Sequence, residues 1–136
     1  MSNTRFATAL HILTLLADKD EEWMRSEWMA GSININPVIV RKELSVLNEA
    51  GFVISRKGKD GGFKLSKPSS EITLAEIYLT VKNADVLGKR NQNPNPKCPI
   101  GKDINKQLDH LFMEIDYSVE DKLKGKTLKN FVEQFH

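Results

Sequence analysis

The stretch from Asn34 to Ser66 leaves this chain few options. Asn36 is a good helix N-cap, because its side chain can accept from the unpaired amides of a first turn. Pro37 follows at the first helical position, where its missing amide and fixed φ cost nothing. Val40, Leu44 and Leu47 then recur at helical spacing and predict an inward stripe, with Arg41, Lys42, Ser45 and Asn48 largely off it. Ala50-Gly51 predicts the stop, since glycine takes the left-handed conformation readily. Val53-Ile54 and Phe63–Leu65 predict two strands joined by a turn containing Gly58, Gly61 and Gly62. Arg56, Lys57, Lys59 and Lys64 make that hairpin basic. Upstream, Ser26 is placed to cap a short helix, Glu27–Gly31, with Gly31-Ser32 ending it. Short helix, turn and longer helix form helix-turn-helix order, and the basic hairpin adds a wing. Such a unit places the second helix in a major groove and the wing beside the phosphates.

Charge is arranged to match. The formal net charge of +2 says little, but residues 37–67 carry seven basic side chains against three acidic ones, whereas residues 101–136 carry six against seven. Positive charge is thus concentrated where the helix and wing are expected, as a nucleic-acid footprint requires. At 136 residues one domain is the default, large enough to bury a core without disulfides. The single cysteine, Cys98, excludes an intrachain disulfide framework. No secretory signal pattern and no bilayer-length apolar run is evident, so the expected location is the cytoplasm, away from membrane.

The rest of the chain reads as helices around that unit. Asn3–Ala17 predicts an amphipathic helix, with Phe6, Leu10, Leu13 and Ala17 on one face. Thr4 and Arg5 stand at its start, placed to meet a phosphate or to act as an ordinary solvated terminus. His11 reads as a structural histidine, and Trp23, Trp28 and Met29 as core packing. Thr73–Glu76 matches a capping box that opens a helix to about Lys82. Three prolines and three asparagines between Asn91 and Pro99 oppose regular structure, which marks a linker or effector loop. Gly101–Lys124 is the longest periodic segment, with Ile104, Leu108, Leu111, Phe112, Ile115, Val119 and Leu123 on one side. At 1.5 Å per residue it spans about 36 Å, too long for one small domain to cover. A homodimer built on this helix is the inference, and Thr127–Phe135 supplies a short final helix. The expected organisation is therefore a winged helix-turn-helix domain at 1–83, a loop at 84–100 and a dimerisation segment at 101–136. The fold class is mainly α with a small β-hairpin wing and a long C-terminal helix.

Several features together resemble the Rrf-two family of bacterial transcriptional regulators. They are Phe6-Ala7 with Ala9-Leu10, Ser26 to Ala30, Asn36-Pro37-Val38 with Val40-Arg41, and Leu47 with Ala50-Gly51-Phe52-Val53. They continue in Gly58, Gly61-Gly62-Phe63 with Leu65, and Ile72-Thr73-Leu74. Asn95 to Gly101 looks like the YwnA-like, cluster-free branch. Cluster-binding relatives carry three closely spaced cysteines before the long helix, where this chain has one. One thiolate cannot hold an iron–sulfur cluster, so neither metal nor cofactor is carried over.

The resemblance implies a dimer, by the family's usual mode a repressor, that sets two recognition helices into successive major grooves of a near-palindromic operator in double-stranded DNA. Asn36, Val38, Arg41 and Lys42 are the expected DNA-facing residues, with Arg41 suited to a guanine and Lys42 to a phosphate. Asn36 and Pro37 read equally well as caps alone. Arg56, Lys57 and Lys59, with the Gly61-Gly62 backbone, are expected at the DNA backbone, and Ser26 beside them. Cys98 precedes the long helix, whose N-terminus favours a reactive thiolate, so redox sensing is one reading and a silent loop cysteine the other. No catalytic constellation is evident: Cys98 and His110 lie too far apart along the chain for a dyad within one protomer. Two alternatives stand beside the redox regulator. One is a regulator sensing a small-molecule effector between the loop and the long helix; the other is a winged-helix module that binds protein.

Overall fold

The computed structural model describes residues 4–83 and 85–136. The element order is α1 (Arg5–Asp18), α2 (Ser26–Ile33), α3 (Pro37–Glu49), β1 (Val53–Arg56), β2 (Gly62–Leu65), α4 (Leu74–Val81), α5 (Pro99–Lys124) and α6 (Leu128–Glu133), with a single 3-10 turn at Ser69–Glu71. It is the mainly helical winged fold expected. Asn3 and the two residues before it lie outside the described residues.

The first helix forms the centre. Ala9, Ile12, Leu13 and Leu16 have at most 1% exposure, and α1 packs against α2, α3, α4, α6 and β2. Full burial of an Ile or Leu side chain contributes about 1.5–3 kcal/mol, so this seam is a large part of the driving force. Leu44 and Leu47 of α3, Met29 of α2, Ile77 of α4 and Leu128 of α6 complete the same core.

Local chemistry fixes the ends. Asn36 Oδ1 accepts from the Val38 amide at 2.9 Å, with Pro37 first in the helix. Gly51 takes φ +88° after α3, the left-handed turn expected of it. Thr73 and Glu76 close their capping box, and Thr127 forms a second one with Asn130. The second helix differs from expectation. Ser26 is its first residue, not its cap, and it runs past Gly31-Ser32 to Ile33. Asn34 ends it with φ +62°, a conformation asparagine tolerates well.

Two core assignments are corrected. The buried side of α2 is set by Ser26, Met29 and Ala30, at i, i+3 and i+4, which turns Trp28 outward to 59% exposure. Trp23 is only half-buried, under the wing.

The long helix begins at Pro99, two residues earlier than its periodicity suggests, and has no fully buried residue. Its C-terminal half is held to α4. Lys82 Nζ lies 3.5 Å from Asp116, 3.6 Å from Glu120 and 3.7 Å from Asp85. Leu123, expected at the subunit contact, is half-buried against the domain's own core. Along its other side Ile100, Leu111, Met113 and Tyr117 are between 45% and 72% exposed. No helix among the described residues is long and apolar enough to cross a membrane.

The Val86 amide donates to Asp116 at 3.0 Å and holds that carboxyl below the usual aspartate range, helped by Lys82. A depressed folded pKa stabilises the fold above the unfolded value and loses that contribution as pH falls through the folded one. Denaturation midpoints measured from pH 5 down to pH 2 should therefore fall less steeply in Asp116→Asn than in the parent, with the difference confined below about pH 4.

Candidate nucleic-acid interface

The sequence expectations converge on one surface formed by α2, α3 and the hairpin. Val38, Arg41 and Lys42 are exposed on α3, while Val40, Glu43, Leu44 and Leu47 are buried on its other side. Helical period alone produces this division, because the apolar side chains recur at three- and four-residue steps. Asn36 is exposed but its Oδ1 is committed to the cap, and Pro37 is half-buried. Glu27 of α2 faces the same region. Its own backbone amide holds its carboxyl below the ordinary range, and Ser26, Arg41 and Arg25 act in the same sense.

The hairpin pairs Val53 with Leu65 through Arg56 with Gly62. It is widened by a bridge in which Met24 and Phe63 exchange amide bonds at 3.0 and 2.8 Å. That third edge explains the glycine pair. A Cβ on Gly62, at φ +145°, would stand 2.6 Å from the Met24 carbonyl oxygen, and one on Gly61 would stand 2.0 Å from that of Arg56. The pair is thus required by the hairpin itself. Gly61 is buried and its amide donates to the Gly58 carbonyl at 3.1 Å, which removes it from the set of backbone groups facing a phosphate.

Ser26 and Arg5 are partly engaged within the protein. Ser26 is 6% exposed, with its hydroxyl toward Glu27, at the edge of the concavity beside the wing. Arg5 reaches inward: its Nε and Nη2 donate to both carboxylate oxygens of Glu43 at 3.2 and 2.8 Å. The Glu43 bond raises the guanidinium pKa further. A 5% exposed Glu43 needs such a partner, and the pair ties the start of α1 to the recognition helix. Thr4, just ahead, is exposed.

Residues not expected from the sequence hold the wing. Arg25 Nη2 donates to the carbonyls of Gly58 and Lys59 at 3.0 and 2.6 Å. The Trp23 ring lies beneath Arg56, 4.6 Å from its centroid, and Lys64, at 5.0 Å. Cation–π contacts of this kind contribute about 0.5–1 kcal/mol at exposed sites. The signal was present as aromatic and basic residues just before the short helix, but only the fold brings them to a hairpin over thirty residues away. Arg56, Lys57 and Lys59 are all exposed on this strapped hairpin. A concave basic surface results between the start of α2 and the wing, lined in part by Arg25, Arg56 and Lys57.

Elsewhere, Cys98 is exposed at the N-cap of α5, where its Sγ accepts from the Gly101 amide at 3.4 Å. Of the predicted apolar stripe, Leu111 is exposed, and Ile104, Leu108, Phe112, Ile115 and Val119 are half-buried.

An exposed helix beside a strapped basic hairpin, preceded by a short helix and a left-handed turn, defines a winged helix-turn-helix protein. The family described as "Rrf2: Iron-dependent Transcriptional regulator" matches residues 2–134. YwnA of Bacillus subtilis is 41% identical over 130 residues, covering 96% of each chain. The HTH-type transcriptional regulator NsrR of Oceanobacillus iheyensis is 29% identical, covering 90% of this chain and 88% of its own. CymR of B. subtilis, described as the global cysteine regulator, has the same fold at TM-score 0.73 and 22% identity, covering 98% of this chain and 97% of its own. The chain belongs to the Rrf2 family of transcriptional regulators, and it acts as a DNA-binding regulator and not as an enzyme.

The iron in the family description does not fit these residues. Cys98 is the sole thiol in the sequence, so even two copies supply two thiolates where a cluster takes about four ligands. Among the described residues no group of three or more His, Cys, Asp or Glu side chains is placed to hold a metal.

Arg25→Lys keeps the charge but cannot bridge the two wing-tip carbonyls as a planar fork does. Amide exchange at Gly58–Gly61 should speed up by about 5–10-fold in this variant, with the global unfolding midpoint unchanged within about 0.5 kcal/mol.

Proposed function

We propose that the protein is a homodimeric, cytoplasmic repressor that binds a near-palindromic operator in double-stranded DNA. The observation that carries this reading is the exposed basic side of α3, with Arg41 and Lys42, standing beside the strapped wing. Arg41 takes a guanine in the major groove, Lys42 a phosphate, and Val38 makes apolar contact with base edges. Asn36 supports this surface from the cap. Arg56, Lys57, Lys59 and the Gly62 backbone meet the phosphates next to the groove.

The exposed apolar side chains along α5 support the dimer. A 26-residue helix without one buried residue leaves Leu111, Met113 and Tyr117 exposed, and a second copy is the natural cover. Ile104, Leu108, Phe112, Ile115 and Val119 flank the same contact. Redox control through Cys98 is favoured by the exposed thiol at the start of this helix, and CymR is named for a cysteine response. Oxidation there would alter the entry of the helix that joins the protomers.

Fluorescence anisotropy on the DNA upstream of its own gene, at several salt concentrations, tests the reading. Tight binding that resists competitor and weakens steeply with salt is expected, because phosphate contacts release counterions. Arg41→Ala should cost about 1–3 kcal/mol and relax specificity at one base pair, whereas Lys42→Ala should weaken all sites alike and lower the salt slope by about 1. No binding at any moderate salt would leave the protein-binding alternative. Leu111→Asp should yield monomers in sedimentation and weaken operator binding. If oxidant still releases DNA from Cys98→Ser, the thiol is not the sensor.

A further inference from the structure

One carboxylate stands on the basic surface. Glu27, the second residue of α2, is exposed and lines the concavity between α2 and the wing together with Arg25, Arg56 and Lys57. Among the described residues lining that concavity it is the sole acid. An acid there is costly, because every phosphate drawn to the cations meets it as a like charge. Its presence calls for a contact that offsets the repulsion.

The carboxylate keeps acceptor capacity for such a contact. Its own backbone amide, at the start of α2, holds it below the ordinary range, with Ser26, Arg41 and Arg25 acting in the same sense. Its side-chain partner is the Ser26 hydroxyl, which donates to Oε2 at 3.3 Å. A carboxylate has about four acceptor sites, so these two bonds do not exhaust it.

Arg41 is the neighbour of opposite charge. The second helix packs against α3, and Met29 and Ala30 of one helix with Val40 and Leu44 of the other are buried in the shared core. Glu27 and Arg41 both lie on the exposed sides of these two helices. They are not joined. Among the described residues no salt bridge links them, and the Arg41 guanidinium donates no hydrogen bond. A donor fork and an acceptor therefore stand side by side, both uncommitted. One base pair has the matching edge. In the major groove a G·C pair shows two acceptors on guanine and an amino donor on cytosine, which arginine and a carboxylate respectively fit.

We propose that Arg41 and Glu27 read one G·C pair jointly, the guanidinium donating to guanine O6 and N7 and the Glu27 carboxylate accepting from the cytosine N4 amino group. Glu27 is then a specificity-determining residue supplied by α2 and not by the recognition helix. Where the cytosine is missing the same carboxylate is left facing phosphates unrewarded, which adds rejection of wrong sites to recognition of the right one. The inference rests on the DNA-binding reading above, with Arg41 at a guanine.

The test is anisotropy on operator duplexes with each base pair substituted in turn, which locates the pair at which Arg41→Ala loses discrimination. N4-methylcytosine is then placed at that pair. Its methyl group replaces the amino proton in the groove and leaves the base-pairing proton in place. The parent should bind the methylated operator about tenfold more weakly, the loss expected of one good base contact. Glu27→Ala should bind both operators alike and should relax the preference for G·C at that pair, with its preferences elsewhere intact. Glu27→Gln keeps an acceptor oxygen without the charge and should retain most of the discrimination against the methyl group. A parent indifferent to the methyl group, or a Glu27→Ala variant that still discriminates against it, overturns the proposal. An equal gain in affinity for all DNA in Glu27→Ala, with every base preference kept, would make Glu27 a repellent for phosphate only and also overturns it. In each of these outcomes the DNA-binding reading stands. If the parent binds no DNA, or Arg41→Ala relaxes no pair, that reading fails and the joint contact falls with it.

Discussion

Everything in this fold leans on the first helix. Ala9, Ile12, Leu13 and Leu16 are essentially fully buried, and five other elements rest on α1. A helix in that position cannot be solvated on any broad face, which is why its polar side chains are tied down. Thr14 donates to the Leu10 carbonyl at 2.6 Å, His11 meets Ser32, and Arg5 closes on Glu43. The Arg5–Glu43 pair matters most among these. Removing one partner of a buried pair leaves an uncompensated charge, so α1 and α3 are bound by a contact that tolerates little displacement.

The wing shows a second constraint. A two-stranded hairpin is marginal alone in water, and a basic one repels itself. Here the Met24–Phe63 bridge adds a third edge, Trp23 carries two cations on its face, and Arg25 holds the tip carbonyls. Arg56 and Lys64 are therefore placed by an aromatic ring before any phosphate is present. Preorganisation of this kind reduces the ordering cost that binding must overcome.

How much of this was legible follows from the range of each interaction. The Asn36–Pro37 cap, the Thr73–Glu76 box, the Gly51 stop and the Gly-rich hairpin are local, and each could be read within four or five residues. The wing strap and the Arg5–Glu43 pair span more than thirty residues, and nothing in the local pattern announces them. The engagement of Arg5 by Glu43 is therefore visible only in the fold. Ser26 and Trp28 were misplaced for a different reason. Residue type outweighed phase: position 28 falls off the 26, 29, 30 face, so a tryptophan is exposed and a serine buried. Gly61 and Gly62 were correctly marked as special, but the close approach they permit is to Arg56 and Met24.

The same range argument explains why the long helix meets the core through its C-terminal half. Lys82 gathers Asp85, Asp116 and Glu120, and Leu123 joins the core, so the C-terminal half of α5 moves with the domain. The N-terminal half has no buried residue and meets the preceding loop, where Arg90 pairs with Asp109 at 2.8 Å and Asn105 Nδ2 donates to the Asn91 carbonyl at 2.9 Å. In a dimer built on that half, the angle between the two recognition helices is set where α5 meets α4. It is not set at the hairpin. The Val86 amide and the Asp116 carboxyl stand at that junction, and the loop ending in Cys98 starts from it. Control through the loop would therefore reach DNA by changing the angle between protomers.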